Sequence, residues 1–211
     1  HAPWRALPSQ IGSIKHALAP YCYRCPINLS YPDCGIACAN DVEELIKTTT
    51  TGKVAGILLE PILGVGGFIT PPDEYFRIVA DIIRSHGGIF ISDEVQTGFG
   101  RTGETWGIDH SGVEPDMITV AKGIANGMPL AAVITTKDIS DSLQKNTIST
   151  FGGNPVSCTA ANATLEIMER DNLKQNANEM GLLLKEGLKK IQSRHKKIIG
   201  EVRGKGLMVG I

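Results

Sequence analysis

The sequence has 211 residues, with 21 basic and 22 acidic side chains and hence a formal net charge of −1. A near-neutral chain lacks the basic surplus of a domain whose main partner is nucleic acid or an anionic membrane surface. Hydrophobic residues at 42% and charged residues at 20% are ordinary for a globular domain, and no apolar run reaches the roughly 20 residues of a transmembrane helix.

Residues 1–40 carry Pro3, Pro8, Pro20, Pro26 and Pro32 with little periodicity and read as an irregular segment. A short helix is expected over Asp41–Lys47, capped by Asn40 or Asp41. Val54–Glu60 is a continuous apolar run, the pattern of a strand buried on both faces. Phe76, Val79, Ile82 and Ile83 at helical spacing predict a helix over 73–86, opened by Pro71-Pro72-Asp73 and closed by Gly87-Gly88. Ile89–Ser92, Met117–Val120 and Ala131–Thr135 read as three more strands. Asn154-Pro155 opens a helix with Ala160, Ala163 and Ile167 on one face. A second helix covers about 172–194, with Leu182, Leu183, Leu188 and Ile191. The final run Gly206–Ile211 is apolar enough for a strand, yet nothing follows it to pair with. With a start at His1, this reads as a piece of a longer polypeptide.

Buried strands alternating with helices predict an α/β domain with a largely parallel sheet. In such sheets the ligand lies at the carboxyl ends of the strands. Those ends carry Glu60, Asp93, Glu94 and Lys122.

Three constellations could carry chemistry. Gly98-x-Gly100-x-x-Gly103 matches a dinucleotide fingerprint, but that motif must lead into a helix. Here it leads into Glu104–His110, which has no helical periodicity, so a tight glycine-rich loop is expected. Cys22-x2-Cys25 and Cys34-x3-Cys38 have spacings that can hold zinc through four thiolates, the alternative being reduced thiols in a loop-rich segment. Cys158 reads as a small packed residue on a helix. The five histidines, His1, His16, His86, His110 and His195, show no metal-protease spacing and read as solvated or structural.

The third constellation joins two strand ends. Ile89–Asp93 places a carboxylate at the end of one buried strand, and Met117–Lys122 places a lysine just past another. A lysine there is expected to be partly desolvated and uncrowded between Ala121 and Gly123, a competent nucleophile for an aldehyde. Pyridoxal phosphate needs such a lysine, and an acid to keep its ring nitrogen protonated. Asp93 and Lys122 supply that pair, unless Asp93 merely caps a loop and Lys122 is merely solvated.

Several separated motifs extend the reading. They are Leu59-Glu60-Pro61-Ile62, Ser92–Gly103, Pro115-Asp116-Met117, Ala121–Ile124, Thr150–Pro155 and Val202–Leu207. Together they resemble the class III (omega) aminotransferases of the fold type I pyridoxal phosphate family, from about Lys53 onward. Within that family the sequence is most similar to the alanine–glyoxylate aminotransferase 2 branch and its bacterial relatives.

The resemblance implies a fold type I large domain truncated at both ends: residues 1–40 an irregular part of it, 41–195 its cofactor-binding body, and 196–211 the start of the small C-terminal domain. It implies that Lys122 forms the Schiff base with pyridoxal 5′-phosphate and shuttles a proton, and that Asp93 pairs with the pyridinium nitrogen. Gln96 would hydrogen-bond the ring's phenolic oxygen, and Glu60 would belong to the active-site network. Thr150 would reach the phosphate of the neighbouring subunit in a homodimer or dimer of dimers. The phosphate-binding turn and the ring-stacking aromatic would precede His1, and the arginine that binds a substrate carboxylate would follow Ile211.

Members with an ornithine- or GABA-type site carry a glutamate where this sequence has Val65. That departure leans toward small acceptors, pyruvate or glyoxylate, with an amino acid, β-amino acid or ω-amine as donor. An aminomutase, racemase or decarboxylase on the same scaffold is the nearest rival, and a non-catalytic zinc-stabilised module is a remote one. Unpaired cysteines favour a reducing interior, with cytoplasm as the default and a mitochondrial address open.

Overall fold

The computed structural model describes residues 11–211, so Pro3, Pro8 and His1 lie outside the described residues. Helix α1 spans Ala37–Thr49, strand β1 Gly56–Leu59, α2 Glu74–Ser85, β2 Ile89–Asp93, β3 Met117–Val120 and β4 Ala132–Thr135. A short α3 (Lys137–Asp141), the long helices α4 (Pro155–Arg170) and α5 (Leu173–Arg194), and a hairpin of β5 (Arg203–Lys205) and β6 (Met208–Gly210) complete the order.

Strands β1 to β4 form one sheet in sequence order. β1 runs parallel to β2 with Leu58 opposite Ile91, and β2 parallel to β3 with Asp93 opposite Thr119. β4 is antiparallel to β3, pairing Ile134 with Ile118. This is the mostly parallel α/β sheet expected, with one antiparallel edge that an apolar run alone does not specify. Parallel neighbours end on the same edge, so the segments carrying Glu60, Asp93 and Lys122 leave the sheet side by side.

The main core lies on one face. Ala39, Val42 and Ile46 of α1 and Tyr75, Phe76, Val79 and Ile83 of α2 pack with Phe90 of β2 and Ile108. The stripe on α1 explains why that helix begins a full turn before Asp41: burying Ala39 outweighs a polar cap. Ile36 takes the N-cap place with no side-chain cap bond, and Asn40 instead donates to the Gly35 carbonyl at 3.2 Å. On the opposite face the expectation of two-sided burial fails. Leu58 is 56% and Val133 59% exposed, because no element among the described residues covers that face of the edge strands.

Helix α4 opens as expected, with the Asn154 side chain accepting from the Ser157 amide at 3.0 Å and Pro155 in the first turn. Its packed stripe is Ser157, Ala161, Thr164 and Met168 rather than Ala163 and Ile167; Ile167 stays exposed. Likewise α5 buries its small residues, Ala177 and Gly181, while Leu182 and Leu183 stay exposed. The reason is distance: a Cβ on Gly181 would overlap the Gly206 carbonyl, so only glycine lets the helix meet the hairpin. Gly206–Ile211, expected to want a partner beyond the chain, folds back instead, with Gly204 opposite Val209 and Lys205 opposite Met208.

No helix among the described residues is long and apolar enough to cross a membrane.

Candidate active site

Just past β3, Ala121 is extended and Lys122 opens a one-turn 3-10 helix, Lys122–Ala125. Lys122 has φ +48°, a left-handed conformation that costs an L residue roughly 1–2 kcal/mol. The strain is held by packing: Ile124 and Ala125 are buried with Val120 against Ala161 of α4. Such strain persists only where surroundings enforce it, and it marks functional sites. The expected desolvation of Lys122 is not found; its side chain is exposed, because the turn lifts it off the strand toward an open cavity.

Beside it, the Asp93 carboxylate accepts from the Val95 amide at 3.1 Å. The next residue, Glu94, turns inward and is 1% exposed. Its Oε1 accepts from Ser92 Oγ at 3.0 Å and the Ile108 amide at 2.9 Å. Its Oε2 accepts from the Gly107 amide at 2.8 Å and from Thr97 Oγ1. A buried carboxylate is tolerable only with its lone pairs satisfied, and here four donors do so. The loop between them is tight, as expected from its glycines, with left-handed φ at Phe99, Gly100 and Gly103. It ends in a short 3-10 turn, Gly107–Ser111, so no helix N-terminus stands ready for a pyrophosphate.

Gln96 and Lys122 line one cavity of about 570 Å³, together with Phe99, Asn126, Thr164 and Met208. Below Gln96 the chain after β1 turns sharply. The Gly64 amide donates to Glu60 Oε2 at 2.9 Å, and the Gly64 backbone lies directly against the Gln96 amide. Arg203 fastens the far side of this turn, donating from Nε (2.9 Å) and Nη2 (2.6 Å) to the Gly67 carbonyl. Thus Lys122 and Gln96 share a cavity, while Asp93 and Glu60 sit at the neighbouring strand ends without lining it and Thr150 stands apart. Thr150 is exposed between β4 and α4, next to Phe151, which is 81% exposed. The sequence places Glu94 among the strand ends that face a ligand, but its carboxylate turns inward to bind the loop instead, and Gly64 has no role in the sequence reading. The only signals for them were the Asp-Glu doublet and the glycine after Leu63.

The other candidates resolve differently. Cys22, Cys25, Cys34 and Cys38 line one small apolar hollow, but no group of three or more His, Cys, Asp or Glu among the described residues is placed to hold a metal ion. Cys22 and Cys25 sit at the two ends of a 3-10 turn, while Cys34 and Cys38 bracket the start of α1. All five cysteines are free. Burial, then the charge of Cys38, pushes the Cys22 thiol up, and burial pushes the Cys38 thiol up, which disfavours reactive thiolates. His110 is structural as expected: its Nε2 meets the Thr102 carbonyl at 3.2 Å, and burial, aided by Lys205, holds its pKa below the usual value.

Comparison with known families decides the class. The family model described as aminotransferase class-III matches residues 5–211. The chain belongs to the class-III aminotransferase family. These aminotransferases are a pyridoxal-phosphate-dependent family, and the donor set here fits that cofactor: an amine on a strained turn, a carboxylate at the adjacent strand end, and a glutamine amide facing the same cavity. This class-III chain is 44% identical to alanine–glyoxylate aminotransferase 2 homolog 2, mitochondrial, of Arabidopsis thaliana, over 94% of its own length and 41% of the relative's. It is 39% identical to a leucine/methionine racemase of Thermococcus litoralis, covering 98% of this chain and 47% of that one. An (S)-enantioselective omega-transaminase from Thermomicrobium roseum has the same fold, with a TM-score of 0.88, 36% identity, and coverage of 98% of this chain and 47% of that one. An amine transaminase from an uncultivated Pseudomonas species, 36% identical, is described in its PLP-bound form. The chain therefore spans less than half the length of these relatives.

Proposed function

We propose that the protein is a pyridoxal-5′-phosphate-dependent transaminase. It would move an amino group from an amino acid or amine, of alanine, β-amino acid or ω-amine type, to a small oxo acid such as pyruvate or glyoxylate. The observation that carries this is the adjacency of Asp93 and Lys122 at the carboxyl edge of a parallel sheet in a class-III chain. Bound there, the cofactor supplies an electron sink for the bonds of the substrate's α-carbon.

The chain's own residues do the rest. The Lys122 amine would hold the cofactor at its aldehyde carbon and carry a proton to and from the substrate's α-carbon. Asp93 would keep a proton on the ring nitrogen. Gln96 would donate to the ring oxygen from its place against Gly64. Glu60 would order that turn through the Gly64 amide. The exposure of Thr150 supports its service to the phosphate of a neighbouring subunit in a homodimer. Residues 196–211 would begin the smaller C-terminal domain, and the five free cysteines support a reducing interior, cytoplasmic or mitochondrial. Val65 in place of a glutamate supports small acceptors over 2-oxoglutarate.

The racemase among its relatives favours one second reading, in which the proton returns to the same α-carbon and no amino group leaves. Titration with pyridoxal phosphate, borohydride reduction and peptide mapping should give a stable adduct on Lys122. Incubation with alanine and glyoxylate should then give glycine and pyruvate. No adduct on Lys122 would sink the cofactor reading, and racemised alanine without glycine would select the racemase.

A further inference from the structure

Glu94 lies one peptide bond from Asp93 and two from Gln96, yet it points away from the cavity. Its backbone amide donates to the Thr119 carbonyl at 2.9 Å, joining the end of β2 to the strand that leads to Lys122. Its carbonyl accepts from the Gly98 amide at 3.0 Å. Its two carboxylate oxygens each take two donors, drawn from β2 (Ser92), the turn (Thr97) and the returning chain (Gly107 and Ile108). Gly107 is required at this crossing, because a Cβ there would lie 2.6 Å from Thr97 Cβ. One buried side chain therefore closes the whole loop 95–108 onto the strand end from which Asp93 projects.

We infer that Glu94 is a positioning residue for the reaction: its carboxylate fixes Asp93 and Gln96 in the placements from which they meet the cofactor ring. This rests on the transaminase reading above. The donors are two backbone amides and two hydroxyls, so only an acceptor on both oxygens satisfies them. An amide in its place would turn an N–H toward two other donors and release the loop. Gln96 and Asp93 would then lose their fixed approach to the ring oxygen and the ring nitrogen, and the proton affinity of the bound cofactor would change. A residue that merely stabilised the fold would lower the melting temperature and leave that proton affinity alone.

The test compares Glu94→Gln, Thr97→Val and Thr97→Ser with the unaltered protein, the threonine variants covering the case in which Glu94→Gln does not fold. Amide hydrogen exchange on the unloaded proteins reads the loop. Titration with pyridoxal phosphate reads affinity, and a pH titration of the visible band reads proton affinity. Glu94→Gln should speed exchange across 95–108 and weaken cofactor affinity about tenfold, with a clear displacement of the band's pH midpoint. Thr97→Val should move all three readouts the same way by less, and Thr97→Ser, which keeps the hydroxyl, should restore them. A faster-exchanging loop with unchanged affinity and midpoint in both Glu94→Gln and Thr97→Val would overturn the inference, as would unchanged exchange. An unaltered protein that gives no visible band would instead sink the cofactor reading itself.

Discussion

Gly64 and Gln96 occupy complementary space: a methyl group on Gly64 would overlap the Gln96 side-chain amide. The glycine is needed for what it leaves room for, and Glu60 holds it there through its amide. Gly64→Ala should therefore push Gln96 out of line, a misfit of about 1–3 kcal/mol by the cost of overpacking. The glutamine amide relieves the overlap by swinging toward the cavity, so the cost falls on turnover, which we expect to drop roughly five- to 150-fold at that energy, with the melting temperature nearly unchanged. Steady-state kinetics and calorimetry check both halves. Unchanged kcat and KM would show that Gln96 needs no fixed seat.

Lys122 makes a prediction that separates backbone from chemistry. Lys122→Ala and Lys122→Gly should both abolish turnover and the borohydride-stable adduct. The glycine variant should be the more stable of the two by about 1 kcal/mol, since glycine adopts a left-handed backbone without penalty. Denaturant unfolding measures the difference. Equal stabilities would mean that φ at 122 is not left-handed in solution.

For Asp93→Asn we expect pyridoxal phosphate to bind and the fold to persist, with turnover lower by orders of magnitude. The Val95 amide bond to the side chain survives the change, while the negative charge opposite a protonated ring nitrogen does not. Rapid-mixing absorbance and steady-state rates test this, and an unchanged rate would remove Asp93 from the reaction.

His110 should give the fold an acid-sensitive element. Burial, and then Lys205, depress its folded pKa below the usual 6.5, so the unfolded chain binds the proton more readily. Its contribution is therefore present above about 6.5 and is lost as pH falls through that value toward the lower folded pKa. The Thr102 carbonyl, and then Glu104 and Asp73, oppose the depression and limit it. His110→Asn should flatten the pH dependence of the melting temperature below neutrality. A slope identical to that of the unaltered protein would exclude His110 as its source.

Gly181→Ala tests the seat of the C-terminal hairpin. The obstructing atom is the Gly206 backbone carbonyl, which cannot rotate away, so we expect a loss of about 1–3 kcal/mol or more. Proteolysis should find the 200–211 segment first. A neutral substitution would show that helix and hairpin are not in contact.

The strands that end in Asp93 and lead to Lys122 were legible from sequence alone, because such a strand advertises itself as an apolar run and the residue that ends it follows at once. Asp93 and Lys122 were legible as strand-end residues for that reason, and the glycine loop and the Asn154 cap from local pattern, whereas Gln96 came only from the family resemblance. It could not say which helix faces pack: the leucines of α5 looked like its core side, yet Ala177 and Gly181 make the contact, since close approach needs small residues. Nor could it show that β4 runs antiparallel, that the edge strands leave one face bare, or that Lys122 is exposed on a strained turn. Those depend on which segments lie beside one another. Glu94 and Gly64 are the clearest cases: their partners, Gly107, Ile108 and Gln96, are 13, 14 and 32 residues away (107 − 94, 108 − 94 and 96 − 64). Local pattern is written by periodicity, whereas hydrogen bonds and steric fit between distant segments exist only once the chain has folded.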